Sequence, residues 1–383
     1  MKVLILSCNT GAGHNSAATA VKNMMIKLGH ECVTKDALSY ASEFFSKGVS
    51  NSYNSIVMHT PKAFGIGYRY CKKKTYTPGR VKSASYAINM MYSKKLFLDI
   101  LRDGYDAVLC THVFAAQSIT HVKHKHGLKI PVYVIATDYS FCPYSDELDM
   151  NRYFISLESI KDEYLSRGIP EDKIVPSGIP VSDKFLENIS KKQAREHLGI
   201  FTDNFLCVIM SGSMGFGNVE NFIDKVLERD VDGYDIIVIT GNNDKLRKQI
   251  DSKYASYRNI NALGFTTDVH LYMKASDLVV TKPGGLSSTE AMVCNIPMIL
   301  TSPIPGVETE NYDTLTKLGV AIGGDSDVKA SYAFEEIVKD SGLGYKITCN
   351  QKKYINPDAA KEICRYVLKD LGVEIDEPDC AKL

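Results

Sequence analysis

A chain of 383 residues exceeds what one hydrophobic core serves and predicts two domains. Its 45 basic and 45 acidic residues cancel, so the molecule as a whole is no polyanion binder. Ten cysteines without a C-x-x-C pair predict reduced thiols in a cytosolic chain, and no apolar run nears the roughly 18 residues that span a bilayer.

The opening KVLILSC reads as a buried strand and not as a signal peptide. Gly-rich TGAGH follows, then a helix over SAATAVKNMMIKLGH that Gly29 ends, then a second strand in ECVTKDAL. From Phe44 to Leu98 there is no acidic residue, while ten Lys and Arg alternate with ten Phe and Tyr. Lys72, Lys73, Lys74, Arg80 and Lys82 form the densest part. Basic side chains attract anionic headgroups and aromatics settle at the interface, which predicts docking on an anionic membrane surface. The other reading is a solvated basic face whose aromatics are core. No recognisable nucleic-acid module accompanies the patch, so no nucleic-acid partner is expected.

Strands are next predicted in YDAVLCTH, PVYVIATD and RYFIS, with a helix over 115–125 and another ending near Gly168. IVPSGIPVSDKF breaks this series. A second one begins with FLCVIM and continues through YDIIVI, INALGF, DLVVT and PMILT, helices alternating between them. Alternation of this kind implies parallel sheets covered on both faces. The expected organisation is a domain over 1–180, a second over 191–355, and a last helix over 356–372 packing back toward the first.

In such sheets ligands bind where strands run into helices, and three of these junctions are Gly-rich. In the first, Gly11 and Gly13 give backbone access and precede His14, whose cationic form a helix N-terminus disfavours, leaving it available as a base. A capping or core role for His14 is the alternative. The second, Ser211–Gly217 with Gly212, Ser213 and Gly215, has amides and hydroxyls suited to a diphosphate or is a tight turn. In the third, Gly284, Gly285, Ser287, Ser288 and Thr289 precede Glu290. A carboxylate there can accept both hydroxyls of a ribose, and a capping box pairing Ser287 with Glu290 explains the same residues equally well. Acid and His spacings support no metal site.

TKPGGLSSTEA, followed by IPMIL and IPGVETEN, resembles the donor-binding half of glycosyltransferase family 28, and most of all its diacylglycerol glycosyltransferases. TGAGHNSAATAV, THVFAAQ, ATDYS, GIPVSDKF, MSGSMGFG and ALGFTTDV fall in that family's order, so the resemblance covers nearly the whole chain. It implies a GT-B fold, an α/β architecture of two Rossmann-like domains facing an interdomain cleft. It also implies inverting transfer of a hexose, glucose or galactose, from a UDP-sugar to diacylglycerol or a related lipid. The alternatives are a non-catalytic UDP-sugar-sensing membrane scaffold and a UDP-GlcNAc epimerase or GlcNAc transferase of related architecture. No cofactor is implied, and the expected location is cytoplasmic, peripheral on the inner face of the cell membrane.

Carried over residue by residue, the resemblance makes His14 or Asp138 the base at the acceptor. Gly212, Ser213 and Gly215 fall near the diphosphate, and Phe265 offers backbone groups to uracil. Glu290 falls on the ribose and Glu308 on the donor sugar, with Asn311 closing that loop. Val307 stands where the family usually has Gln, Ser182 where it has Arg, and Phe141 and Cys142 where a His is common.

Overall fold

A computed structural model describes residues 1–9, 11–73, 82–210 and 219–373. The chain divides into two compact units. One comprises Met1–Ser182, Pro305–Val307 and the chain from Asn356, and the other Asp183–Ile304 with Glu308–Ile355. Each is built on one six-stranded, all-parallel sheet.

In the first unit the elements run β1 (Lys2–Ser7), α1 (Ala12–Lys27), β2 (Glu31–Asp36), α2 (Glu43–His59), α3 (Pro61–Lys73), α4 (Ala84–Asn89) and α5 (Ser93–Asp103). They continue through β3 (Ala107–Cys110), α6 (Val113–His126), β4 (Val132–Ile135), β5 (Arg152–Phe154), α7 (Lys161–Ser166) and β6 (Ile174–Val175). The sheet order is β2-β1-β3-β4-β5-β6. Central strands such as β1 and β3 are buried along nearly their whole length, which is why they read as unbroken apolar runs. Successive strands leave β1 on opposite sides, so the order reverses between β1 and β3, where open α/β sheets bind ligands.

The second unit holds α8 (Asp183–Leu186), α9 (Lys191–Leu198), β7 (Phe205–Met210), α10 (Val219–Leu227), β8 (Tyr234–Ile239), α11 (Asp244–Lys253), β9 (Ile260–Leu263) and α12 (Val269–Ala275). It goes on with β10 (Leu278–Thr281), α13 (Gly285–Val293), β11 (Met298–Thr301), α14 (Val307–Lys317), β12 (Ile322–Gly324), α15 (Asp327–Lys339) and α16 (Ser341–Tyr354). Its order, β12-β11-β10-β7-β8-β9, reverses between β7 and β10.

The chain then returns to the first unit as α17 (Ala359–Asp370). Ile363, Cys364, Val367 and Leu368 enter the core formed by Val3, Ile5, Val21 and Met25. Arg152 donates twice to Asp370, at 2.7 and 2.6 Å, and Asn356 donates to the Ser177 carbonyl at 2.8 Å. Gly178 (φ +86°) allows that approach, because a Cβ there would lie 3.2 Å from Asn356 and 3.3 Å from Ala359.

The acid-free segment contributes both buried and exposed side chains. Tyr86 and Tyr92 are core, whereas Phe44, Tyr70 and Met91 stand in solvent. Lys72 pairs with Glu163 at 2.8 Å. Lys82 donates to the Glu147 carbonyl at 3.1 Å and lies over the Tyr86 ring. Lys73, Lys94 and Lys95 are exposed. Lys74 and Arg80 lie outside the described residues.

Candidate active site

The turn from β1 into α1 is pinned from below. Ser7 Oγ donates to Asn15 Oδ1 (2.6 Å), Asn15 Nδ2 to Asn9 Oδ1 (2.9 Å) and Asn9 Nδ2 to Asp36 Oδ2 (3.1 Å). Gly11, the N-cap, is extended and leaves no side chain over the helix end. Gly13 and His14 therefore lie in the first turn of α1, with His14 half-buried at the point where the sheet order reverses.

His14 Nδ1 lies 2.8 Å from the Thr111 carbonyl oxygen and 3.0 Å from Thr137 Oγ1. A carbonyl only accepts, so the proton sits on Nδ1 and the lone pair on Nε2. Burial holds the imidazole below the ordinary His value, against the opposing pull of Asp138 and the Thr111 carbonyl. Asp138 follows β4 and Thr137, its backbone carbonyl held by Ser156 Oγ at 2.8 Å. The structure thus brings together His14 and Asp138, predicted as alternative bases. Thr111 Oγ1 and Ser140 Oγ are buried without a hydrogen-bond partner among the described residues.

Sequence reasoning missed His112. It caps α6, its Nδ1 accepting the Phe114 N–H at 3.1 Å, and its ring meets that of His14 edge-on with centroids 4.5 Å apart. Burial and the neighbouring His14 hold it well below the ordinary range, so it is neutral. A His two residues after the end of β3, at the junction beside that of His14, was the available signal.

In the second unit the loop after β10 runs into α13. Gly284 is the N-cap, without a side-chain hydrogen bond. Gly285 starts the helix and Ser287 lies inside it, so the capping box that would pair Ser287 with Glu290 does not form. Ser288 Oγ is buried with no hydrogen-bond partner among the described residues, and Thr289 Oγ1 donates to the Gly285 carbonyl at 2.6 Å. Burial pushes the Glu290 carboxyl up to about 8. Asn311 Nδ2 donates to the Pro283 carbonyl at 3.0 Å, and Glu308 Oε2 accepts from the Ile304 N–H at 2.8 Å.

Lys282, also missed by the sequence reading, is partly buried before Pro283. Burial lowers its pKa and the charge of Glu308 counters this. Phe265 follows β9 and is 71% exposed. Gly212, Ser213 and Gly215 lie outside the described residues. Chemically, one unit offers a neutral imidazole beside a carboxylate. The other offers a helix N-terminus with unmet N–H groups, a buried hydroxyl and a cation, a set suited to phosphate.

Residues 14–181 match the monogalactosyldiacylglycerol (MGDG) synthase family, and 206–339 match the glycosyltransferase family 28 C-terminal domain. A processive diacylglycerol beta-glucosyltransferase of Staphylococcus carnosus is 27% identical over 345 residues, 88% of this chain and 85% of that protein. Among solved structures, Acinetobacter baumannii MurG aligns with a TM-score of 0.64 at 14% identity, covering 96% of this chain and 99% of that one. An S. aureus MnaA–UDP complex aligns with a TM-score of 0.64 at 16% identity, covering 98% of each. Likeness at these identities establishes the fold, the two Rossmann-like domains of GT-B. Together the two matches span most of the chain, which carries an MGDG synthase domain followed by a glycosyltransferase family 28 C-terminal domain.

Proposed function

We propose that the protein moves a hexose, glucose or galactose, from a UDP-sugar to diacylglycerol or a related lipid, with inversion at C1. The observation that carries this reading is the hydrogen bond from His14 Nδ1 to the Thr111 carbonyl, which leaves Nε2 as a proton acceptor beside Asp138. Nε2 takes the proton of the acceptor hydroxyl as its oxygen bonds to C1 and the bond from C1 to the UDP oxygen breaks. Negative charge gathering on UDP meets the N–H groups of α13 and the ammonium of Lys282. Glu290 holds the ribose, Glu308 the hexose, and Phe265 the uracil through its backbone, while Asn311 fixes the loop at Pro283. Gly11 and Gly13 keep the acceptor side open to a bulky lipid. Gly212, Ser213 and Gly215 serve the diphosphate.

Acceptor-side residues thus belong to the first unit and donor-side residues to the second. A lipid acceptor also gives the basic, aromatic segment a purpose, which is docking on the anionic inner face of the cell membrane. Exposed Lys73, Lys94 and Lys95 serve that surface, together with Phe44, Tyr70 and Met91. No helix among the described residues is long and apolar enough to cross a membrane. UDP release from UDP-glucose and UDP-galactose, with and without diacylglycerol vesicles, tests the reading. Release that depends on diacylglycerol and yields a glycolipid is the expected result. Sugar epimerisation, or UDP binding without turnover, overturns it.

A further inference from the structure

We propose that His112 is a positioning residue for His14, holding its ring edge-on and covering it from water so that Nε2 stays the proton acceptor. The inference rests on the transfer reaction proposed above and adds to it a residue that never touches the reacting atoms.

The two imidazoles are held as opposite tautomers by the same stretch of backbone. The carbonyl of Thr111 takes the Nδ1–H of His14 at 2.8 Å. Three residues on, the N–H of Phe114 donates to Nδ1 of His112 at 3.1 Å. His14 therefore carries its lone pair on Nε2, and His112 carries its proton there. With Nδ1 engaged as the cap of α6, His112 cannot gain a second proton without losing that bond. Phe114 braces its other side, with ring centroids 4.7 Å apart. The charged or titratable groups facing His14 are Asp138, from the loop after β4, and His112 itself. The first turn of α1 has no acid. Of these two, Asp138 favours the imidazolium, while His112 excludes the water that would solvate it. The pair thus keeps one base neutral and fixed in direction.

The test uses the full chain with ¹⁵N-labelled histidine. At pH 7 the ring nitrogens should report Nδ1–H for His14 and Nε2–H for His112, a measurement that needs no variant. His112→Asn keeps a side-chain oxygen for the Phe114 N–H but removes the ring. In it the His14 titration midpoint should move to higher pH. The acid limb of kcat/KM should follow, with kcat near pH 6 falling on the order of tenfold and KM for the UDP-sugar unchanged. His112→Ala, which also lacks the cap, should show the same midpoint shift with lower thermal stability. An unmoved His14 midpoint in His112→Asn, or an Nδ1–H proton on His112 in the wild type, overturns the proposal. Wild-type protein without lipid-dependent transfer would remove the proposed function instead, and the ring titration would still decide the pairing.

Discussion

His14 and Thr111 meet through an imidazole N–H and a main-chain carbonyl 2.8 Å apart, although 97 residues separate them in the chain. They can do so because β1 and β3 are hydrogen-bonded neighbours, Leu6 lying opposite Cys110, so that the two strands end side by side. That main-chain carbonyl places the proton on Nδ1 and so sets which tautomer the neutral ring adopts.

Removing the proposed base His14 should therefore affect turnover and spare donor binding. His14→Ala is expected to lower kcat by roughly 10²–10⁴-fold while calorimetry finds UDP affinity unchanged. In the wild type, burial favours the neutral ring. Activity should then rise from acid with an inflection below the ordinary His value and be level above pH 7. A His14→Ala enzyme with normal turnover would transfer the base role to Asp138.

Glu290 gives a second pH effect of opposite sense. Its folded-state pKa of about 8 lies above its ordinary value of 4.5. The folded protein thus holds this proton more tightly, and stability falls as pH rises from about 4.5 to about 8. Glu290→Gln escapes the loss and should melt several degrees above wild type at pH 8 or higher, while the two converge near pH 4. If the ribose hydroxyls donate to this carboxylate, UDP affinity should strengthen through the same window in wild type and less so in the variant. Equal UDP affinity in both proteins at pH 8.5 would remove Glu290 from the ribose.

For the proposed membrane docking, Lys72 and Lys82 are engaged by the fold, so the exposed lysines are the ones to change. At about 1 kcal/mol for each Lys near an anionic surface, replacing Lys73, Lys94 and Lys95 by Ser should cut affinity for anionic vesicles about a hundredfold. The wild-type interaction should weaken as salt shortens the Debye length from about 10 Å at 0.1 M to about 3 Å at 1 M. Sedimentation that shows equal binding to neutral and anionic vesicles would sink this surface.

Asn311 is fully buried, with its amide on the Pro283 carbonyl. Asn311→Ala leaves that carbonyl unpaired and should cost about 1–3 kcal/mol in denaturant unfolding. Because the same loop leads into α13, KM for the UDP-sugar should rise as well. An unchanged KM would confine Asn311 to stability.

Much of this was legible in the sequence, for a physical reason. Strands such as β1, β3, β7 and β10 are covered on both faces and so announce themselves as apolar runs. β6 is only Ile174–Val175, too short to carry a period, and the segment reads instead by its Pro and Gly. The acid-free stretch drew notice for charge and not for the helices α2 to α5, whose aromatic residues serve core and surface together. His14 stood out because glycines frame it. His112 did not, since it closes the apolar run YDAVLCTH and its capping bond is invisible until α6 is placed. The Ser287 and Glu290 spacing admits a capping box, and only the helix start at Gly285 decides against it.

The return of α17 to the first sheet bears on the order in which the protein can be finished during synthesis. Residues of the second unit are all made by Ile355, while the core around Val3 and Ile5 waits for Ile363, Val367 and Leu368. Translation at about 5–20 residues per second thus leaves the apolar face of β1 and α1 uncovered until α17 emerges. The first sheet to be made is the last to be closed, and a chain cut before Asn356 would keep a complete second unit beside an open first one.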